Sequence, residues 1–349
     1  MKSIATFAAT AGTLLALAAC DSNTSSIAET GVDAGDASPE TAASGRSAYT
    51  PANLGTLDSY SEAQAINDGG AVAGFSNLSD GVFHAVLWTG GTTRDLGTLG
   101  GTNSYGFAIS PSGSVVGASE TATGALHAFI ASSGTMTDLG TLPGDVSSEA
   151  RAINARGQVV GSSTSPDGTS RAFLWQDGSM TELASLGGRE TVARGINESG
   201  QVVGYGSDVN GVRHAVRWER GQAVDLGALG GSESFAHGIN DEGIIVGQIN
   251  TPESFYGFVL SKGRVTRIEP LPGGNYSAAN AVNNAGQVVG RSDNGADEHA
   301  FIWEPGTTTD LGVLPDGSFS RAFGINNRGQ VVGYSFVPEG GARATLWSR

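Results

Sequence analysis

Ile153-Asn154-Ala155-Arg156-Gly157-Gln158-Val159-Val160-Gly161 is the stretch on which the fold turns. Its pattern is a branched apolar residue, a polar residue, two variable residues, Gly, one further residue, and an apolar pair closed by Gly. This pattern returns seven times, anchored at Ile66, Ile109, Ile153, Ile196, Ile239, Val282 and Ile325. Successive anchors lie 43, 44, 43, 43, 43 and 43 residues apart. A period of about 40 to 50 residues with several strands per unit marks the blades of a propeller.

Around the third anchor, Arg151 to Asn154 leads into the tight turn Ala155-Arg156-Gly157. Gln158 to Ser163, Arg171 to Trp175 and Met180 to Leu186 follow as three more strand-like pieces. All are short and bounded by Gly, Asn, Asp, Ser or Pro, as strands joined by hairpins are. No stretch carries the apolar spacing of a helix. Phe173 and Trp175 fall on one face of the third piece, Ala172 and Leu174 on the other. Both faces are therefore apolar, which fits sheets stacked face to face rather than a sheet with one wet side.

The chain ends separate an open stack from a closed ring. Internal copies finish with segments such as Asp95-Leu96-Gly97-Thr98-Leu99 and Asp310-Leu311-Gly312-Val313-Leu314, whereas the last stops at Leu346-Trp347-Ser348-Arg349. The missing piece stands at the other end, as Asn53-Leu54-Gly55-Thr56-Leu57. An open solenoid has no use for this offset and requires polar capping repeats instead. The expectation is an all-β, seven-bladed β-propeller over residues 50–349, with four-stranded blades of about 43 residues. Residues 53–57 would complete the last blade.

Three boxes recur in register: the Ile-Asn-x-x-Gly stretch, Asp-Leu-Gly, and a His-Ala-Phe-like tripeptide. The last is seen at His84-Ala85-Val86, His127-Ala128-Phe129, Arg171-Ala172-Phe173, His214-Ala215-Val216 and His299-Ala300-Phe301. With these boxes the chain after residue 50 resembles the HAF-repeat family of probable extracellular bacterial proteins. Tyr256-Gly257-Phe258 and Arg343-Ala344-Thr345 depart from the tripeptide. The resemblance implies secretion and a repeat scaffold, and it implies no activity.

The N-terminus reads as a targeting signal. Lys2 opens it, Ile4 to Leu17 form an apolar run, and Leu17-Ala18-Ala19-Cys20 resembles a bacterial lipoprotein box. Residues 1–19 are expected to be a lipoprotein signal peptide. Cys20, the sole cysteine, is expected to carry the lipid. An ordinary cleavable signal at Ala16-Leu17-Ala18 is the other reading, and it leaves that thiol without a purpose. Asp21 resembles a signal retaining lipoproteins at the inner membrane of enteric bacteria. Residues 20–49, nearly all Ser, Thr, Ala, Gly, Asp and Glu, read as a disordered tether. The expected location is the bacterial cell envelope, periplasm-facing or on the cell surface, with membrane contact through the lipid anchor alone.

Charge narrows the partners. With 34 acidic and 19 basic residues the net charge is −15. No Lys/Arg run suits a phosphate backbone, so nucleic acid is not expected, and peripheral attachment to anionic lipid is equally disfavoured. Asp293-Asn294-Gly295-Ala296-Asp297-Glu298 has a calcium-like composition but reads first as a hairpin turn. There is no Gly-x-Ser-x-Gly elbow, no His-Glu-x-x-His and no phosphate loop, so no cofactor, metal or catalytic residue is assigned. His84, His127, His214 and His299 share one position in different blades. They are spread around the wheel and cannot converge on a metal. Trp88, Trp175, Trp218, Trp303 and Trp347 likewise repeat and read as core.

Comparing the copies separates scaffold from site, because scaffold positions repeat and grafted sites do not. Before each anchor one position is always hydroxylated: Ser61, Ser104, Ser148, Thr191, Ser234, Ser277 and Ser320. Two others are always Ala or Gly. Between them three positions vary freely, on what reads as the link from the outermost strand to the next innermost strand. These supply the candidate binding residues Tyr60, Tyr105, Phe107, Arg151, Arg194, Phe235, His237, Tyr276, Phe319 and Phe323. Aromatic residues fall in blades five, six, seven, one and two, opposite a sector carrying Arg151, Arg194, Glu149 and Glu190. Two functions follow. One is a binding or assembly scaffold that recognises an envelope protein, peptide or glycan at one mouth. The other is a polysaccharide-active enzyme using a carboxylate pair such as Glu149 and Glu190.

Overall fold

Each copy of the repeat forms one antiparallel sheet of four strands. In the third copy these are Ser147–Ile153, Val159–Thr164, Ser170–Gln176 and Ser179–Glu182, paired in that order. The computed structural model describes residues 48–79, 81–338 and 341–349. The expected signal peptide, Cys20 and nearly all of the expected tether lie outside them. Ser47–Arg349 form one compact unit. The described residues contain no helix, hence none long and apolar enough to cross a membrane.

The Ile-Asn-x-x-Gly box is the hairpin between the first two strands. Gly157 N–H donates to the Asn154 carbonyl and Asn154 N–H to the Gln158 carbonyl, both at 3.1 Å. Gly157 adopts φ 75°, the left-handed region that this turn requires, so every copy keeps the glycine. The first strand begins at Ser147 rather than at Arg151, which puts the variable positions on the strand itself and not on a link. The Asp-Leu-Gly box mostly follows the fourth strand. In blade 1 that strand is Thr92–Asp95, and Gly97 at φ 73° turns the chain out of it.

Seven such blades form the ring, and the last is completed by both termini. Thr50–Asn53 pairs with Gly341–Ser348, from Thr50 opposite Ser348 to Asn53 opposite Thr345. Leu54 N–H adds a bond to the Ala344 carbonyl at 2.9 Å. The closing strand thus takes Asn53 from the expected residues 53–57 and otherwise precedes them. The chain then turns, with Gly55 at φ 89° in the place that Gly97 holds in blade 1. Blades three and four are additionally joined by a single parallel bridge between Ser170 and Glu190.

The core is divided among the blade interfaces. Between blades two and three, Val116, Ala128 and Leu142 meet Val159 and Phe173. On the other face of the same blade, Val160, Ala172 and Leu183 meet Val202, Val216 and Trp218. The seam between the last blade and the first is filled in the same manner by Val332 and Ala344 against Ala63, Val72 and Trp88. Trp218 and Trp347 are fully buried, whereas Trp175 is only half-buried.

Polar groups tie the same interfaces. Ser148 Oγ accepts from Ala128 N–H at 2.8 Å and donates to the Gly140 carbonyl at 2.6 Å, joining the tripeptide and Asp-Leu-Gly boxes of blade two to blade three. Ser61, Ser104, Ser234, Ser277 and Ser320 make the same bridge at their interfaces. At the far mouth, Asn154 Nδ2 donates to the Asn197 carbonyl at 3.2 Å, and Asn197, Asn240 and Asn283 repeat the contact with the following blade. Asn326 then reaches the Asn67 carbonyl at 3.1 Å across the closing seam, and Asn67 reaches Ser110 at 3.1 Å. Ser110 has no amide and interrupts this ring toward blade three.

A chain beginning at Ser61 loses the closing strand and leaves Gly341–Ser348 as a bare edge. It should melt at a lower temperature and less cooperatively than the intact chain when followed by circular dichroism. Identical melting curves would refute the latch.

Candidate functional site

The innermost strand of every blade contains a β-bulge, and the residue displaced by it is the third of the freely varying positions. In blade three the register skips from Ala150 to Ala152, leaving Arg151 without a cross-strand partner. The equivalents are Gln64, Phe107, Arg194, His237, Asn280 and Phe323. The bulge brings backbone against backbone: a Cβ on Gly161 would fall on the Glu149 carbonyl oxygen. The matching glycines, such as Gly204 and Gly333, are in the same position. This close approach is why the apolar pair always ends in Gly.

Adjacent innermost strands contact one another around the ring, so the bulged residues circle the axis. Arg151 lies over the Phe107 ring, its guanidinium carbon 4.3 Å from the centroid, and forms an ion pair with Glu149. Arg194 lies 5.6 Å from the Tyr205 centroid. His237 Nδ1 is 2.9 Å from the Ala279 carbonyl, and Asn280 Nδ2 donates to the Ala322 carbonyl at 2.7 Å. Burial, then the positive charges of Arg194 and Arg291, pull the His237 imidazole down to about 4 from 6.5, against the pull of the Ala279 carbonyl. Burial and Arg194 also depress Arg151, although Glu149 opposes them.

All ten candidate residues are half-buried. The aromatic ones are packed. Tyr60 meets Phe83 edge-on at 5.5 Å, Tyr105 meets Phe75 edge-on at 5.2 Å, and Tyr105 stacks with Phe107 at 6.4 Å. Phe235 meets Tyr205 at 5.0 Å, Tyr276 meets Phe255 at 4.8 Å, and Phe319 and Phe323 each lie 5.8 Å from Tyr334. The partners Phe75, Tyr205, Phe255 and Tyr334 escaped the sequence reading. They stand directly after the Val-Val-Gly box or before the tripeptide, and comparing the copies at those places would have found them.

Charge is less confined to one sector than the variable positions suggest. Glu298 pairs with Arg291 at 2.9 Å and with Arg321, and accepts from the Tyr276 hydroxyl at 3.2 Å. Tyr60 and Gln64 both donate to Glu62, whose carboxyl is raised by burial against these hydrogen bonds and Arg321. Burial, aided by the Glu298 charge, pushes the Tyr276 hydroxyl up to about 12. In blades three to five, Glu149 is held by Arg151, while Glu190 takes Arg213 at 2.7 Å and the Tyr205 hydroxyl at 3.2 Å. The two carboxylates of the expected enzyme pair therefore face different neighbours.

The repeated histidines sit elsewhere, on the outer strands. His84 Nδ1 lies 2.9 Å from the Asp95 carboxylate of its own blade, and His127, His214 and His299 are matched to Asp138, Asp225 and Asp310. Arg171 and Glu182 make the equivalent pair at 2.8 Å. Two surface depressions, of about 500 and 350 Å³, lie against the last blade on its side toward blade six, near Asn53 and Tyr49 and away from the bulged residues.

Fold and wall together define a closed β-propeller with an unrepeated channel lining. No family model matches the sequence, so its likeness to HAF-repeat proteins rests on the three boxes alone. No curated protein matches it either. Among solved structures, the β-propeller domain of the Trilobed protease from Pyrococcus furiosus, described as having an open velcro topology, is similar. The TM-score is 0.54 at 12% identity, over 83% of this chain and 96% of that one. Acylaminoacyl peptidase from Pyrococcus horikoshii gives 0.53 at 13% identity, over 83% of this chain and 51% of that one. TolB from Acinetobacter baumannii gives 0.48 at 11%, over 84% and 65%. This chain thus spans about half the length of that peptidase and just under two thirds of that TolB. The two TM-scores above 0.5, at identities this low, show a shared fold alone.

His237 generates a pH dependence. Its folded value lies below its unfolded one, so the unfolded chain binds the proton more readily, and stability present above about pH 6.5 is lost as the pH falls toward 4. Melting temperatures of His237→Gln should fall less over that interval than those of the unaltered chain. Parallel curves would exclude His237 as the cause.

Proposed function

We propose that this chain is an exported, lipid-anchored scaffold that captures an envelope protein, peptide or glycan at the channel mouth bordered by its innermost strands. The observation that carries this reading is the bulge ring. Seven near-equivalent backbones hold Gln64, Phe107, Arg151, Arg194, His237, Asn280 and Phe323 at one position, while the residues around it repeat. Packing alone would select the same side chain at each copy. Aromatic residues and Arg held in half-buried settings are also the usual carriers of binding energy. Export and anchoring are supported by the lipoprotein-like box ending at Cys20 and by the resemblance to HAF-repeat proteins.

The test is capture from envelope extracts by the intact chain. Arg151→Ala with Arg194→Ala, or Phe107→Ala with Phe323→Ala, should weaken capture by about 1 to 4 kcal/mol per important residue with little change in melting temperature. Trp218→Ala removes a fully buried ring and should do the reverse, costing about 3 to 5 kcal/mol of stability. If the channel variants lose stability as heavily as Trp218→Ala, the lining is packing and the assignment fails.

Mass spectrometry of the mature N-terminus should find a diacylglyceryl group on Cys20, absent in Cys20→Ser. An unmodified terminus at Ala19 or Cys20 would defeat the anchor.

A further inference from the structure

The cations of the channel wall are neutralised by protein carboxylates with one exception. Arg151 has Glu149, Arg213 has Glu190 and Glu233, and Arg291 and Arg321 share Glu298. Among the described residues Arg194 has no such partner, and its Nε is shielded from solvent without a hydrogen bond. Its charge is felt on both sides, opposing protonation of Arg151, which has Glu149, and of His237, which is neutral near pH 7 and brings no counter-charge. A half-buried cation flanked in this way is costly unless an anion reaches it. Its guanidinium carbon lies 5.6 Å from the Tyr205 centroid, and with Nε shielded its two terminal nitrogens remain as donors toward a ligand. Such a pair matches a carboxylate in two parallel hydrogen bonds.

We propose that Arg194, with Arg151 beside it, binds a carboxylate of the molecule that the channel captures, and that this molecule is an acidic peptide segment. The inference rests on the binding reading above. A peptide is favoured over an acidic glycan because the rings nearby are not open platforms. Tyr205 is met by Phe235 at 70° and lies against Arg194, and Phe107 lies under the Arg151 guanidinium. Sugars stack on uncovered aromatic faces, and these are occupied by neighbouring rings or guanidinium groups. The carboxylate would come from an Asp or Glu side chain or from a chain terminus, both of which present the same planar oxyanion.

The test selects peptides from a randomised phage-displayed library on the immobilised full chain. Enriched peptides should share an acidic residue at a fixed place, and their Asn or Gln counterparts should bind about ten-fold more weakly or worse. Repeating the selection with peptides displayed with a free C-terminus distinguishes a terminal carboxylate from a side chain. Arg194→Gln should abolish the acidic preference at unchanged melting temperature, and Arg194→Lys should retain part of it. If Arg194→Gln fails to fold, the Arg194→Lys and Arg151→Gln variants carry the comparison. Enrichment without acidic residues, or an acidic preference that survives these changes, overturns the assignment. Capture of a glycan in place of any peptide overturns it too but leaves the binding reading standing. Failure of both the selection and the extract capture removes both.

Discussion

Backbone is pressed against backbone where the glycine of the second strand faces the bulge of the first, and the ring depends on that contact. Side chains there would hold the two strands apart, as the overlap between a Cβ on Gly161 and the Glu149 carbonyl shows. With glycine the first strand can carry an extra residue and still keep Ala150 opposite Gly161 and Ala152 opposite Val160. The small residues flanking the bulge then allow neighbouring innermost strands to approach around the axis. One local device thus sets the curvature of the wall and places its unpaired residue.

The blades are joined by relays that use the same residues in two roles. Asn154 closes its own hairpin, accepting from Gln158 N–H at 3.1 Å, and spends its amide on the next blade. Ser148 sits on the innermost strand of one blade and satisfies both a donor and an acceptor of the previous one. Such groups are buried, and a buried polar group without a partner is expensive, so a blade separated from its neighbours is left with unsatisfied donors as well as bare apolar faces. Stability is therefore a property of the closed ring. The Asn326 and Ser61 contacts across the seam show that both relays continue through the point where the chain ends meet.

The blade count, the four-stranded unit and the closure by the N-terminal segment were legible because each follows from periodicity and from an offset between the two ends. Strand limits were less so. Asp95-Leu96-Gly97 recurs so strongly that it reads as a strand, yet its glycine is kept for a turn. The variable residues were found by comparing copies, but their place on the strand was not, because a bulge leaves no mark on alternation except the glycine opposite it. Phe75, Phe255 and Tyr334 were missed for a different reason: they vary on the second and third strands, where attention to the first strand does not reach.

The same comparison explains why an acidic chain presents a cation where it does. The chain carries a net charge of −15, and among the described residues acidic side chains such as Asp68, Asp95, Asp177 and Asp225 are exposed on turns or in the outer His–Asp pairs, where solvent screens them. Inside the channel screening is weaker, and there the protein supplies Glu149, Glu190, Glu233 and Glu298 as partners for its arginines. Each partner lies on the strands of the same blade or of one next to it. Blade four contributes Glu190 to Arg213 and to the Tyr205 hydroxyl, and the residue preceding Arg194 by two is Val192, where blade three has Glu149. A single apolar replacement at that position is what leaves Arg194 uncompensated. This position varies from copy to copy while the residues flanking it stay small, so the difference falls among the positions that the scaffold leaves free.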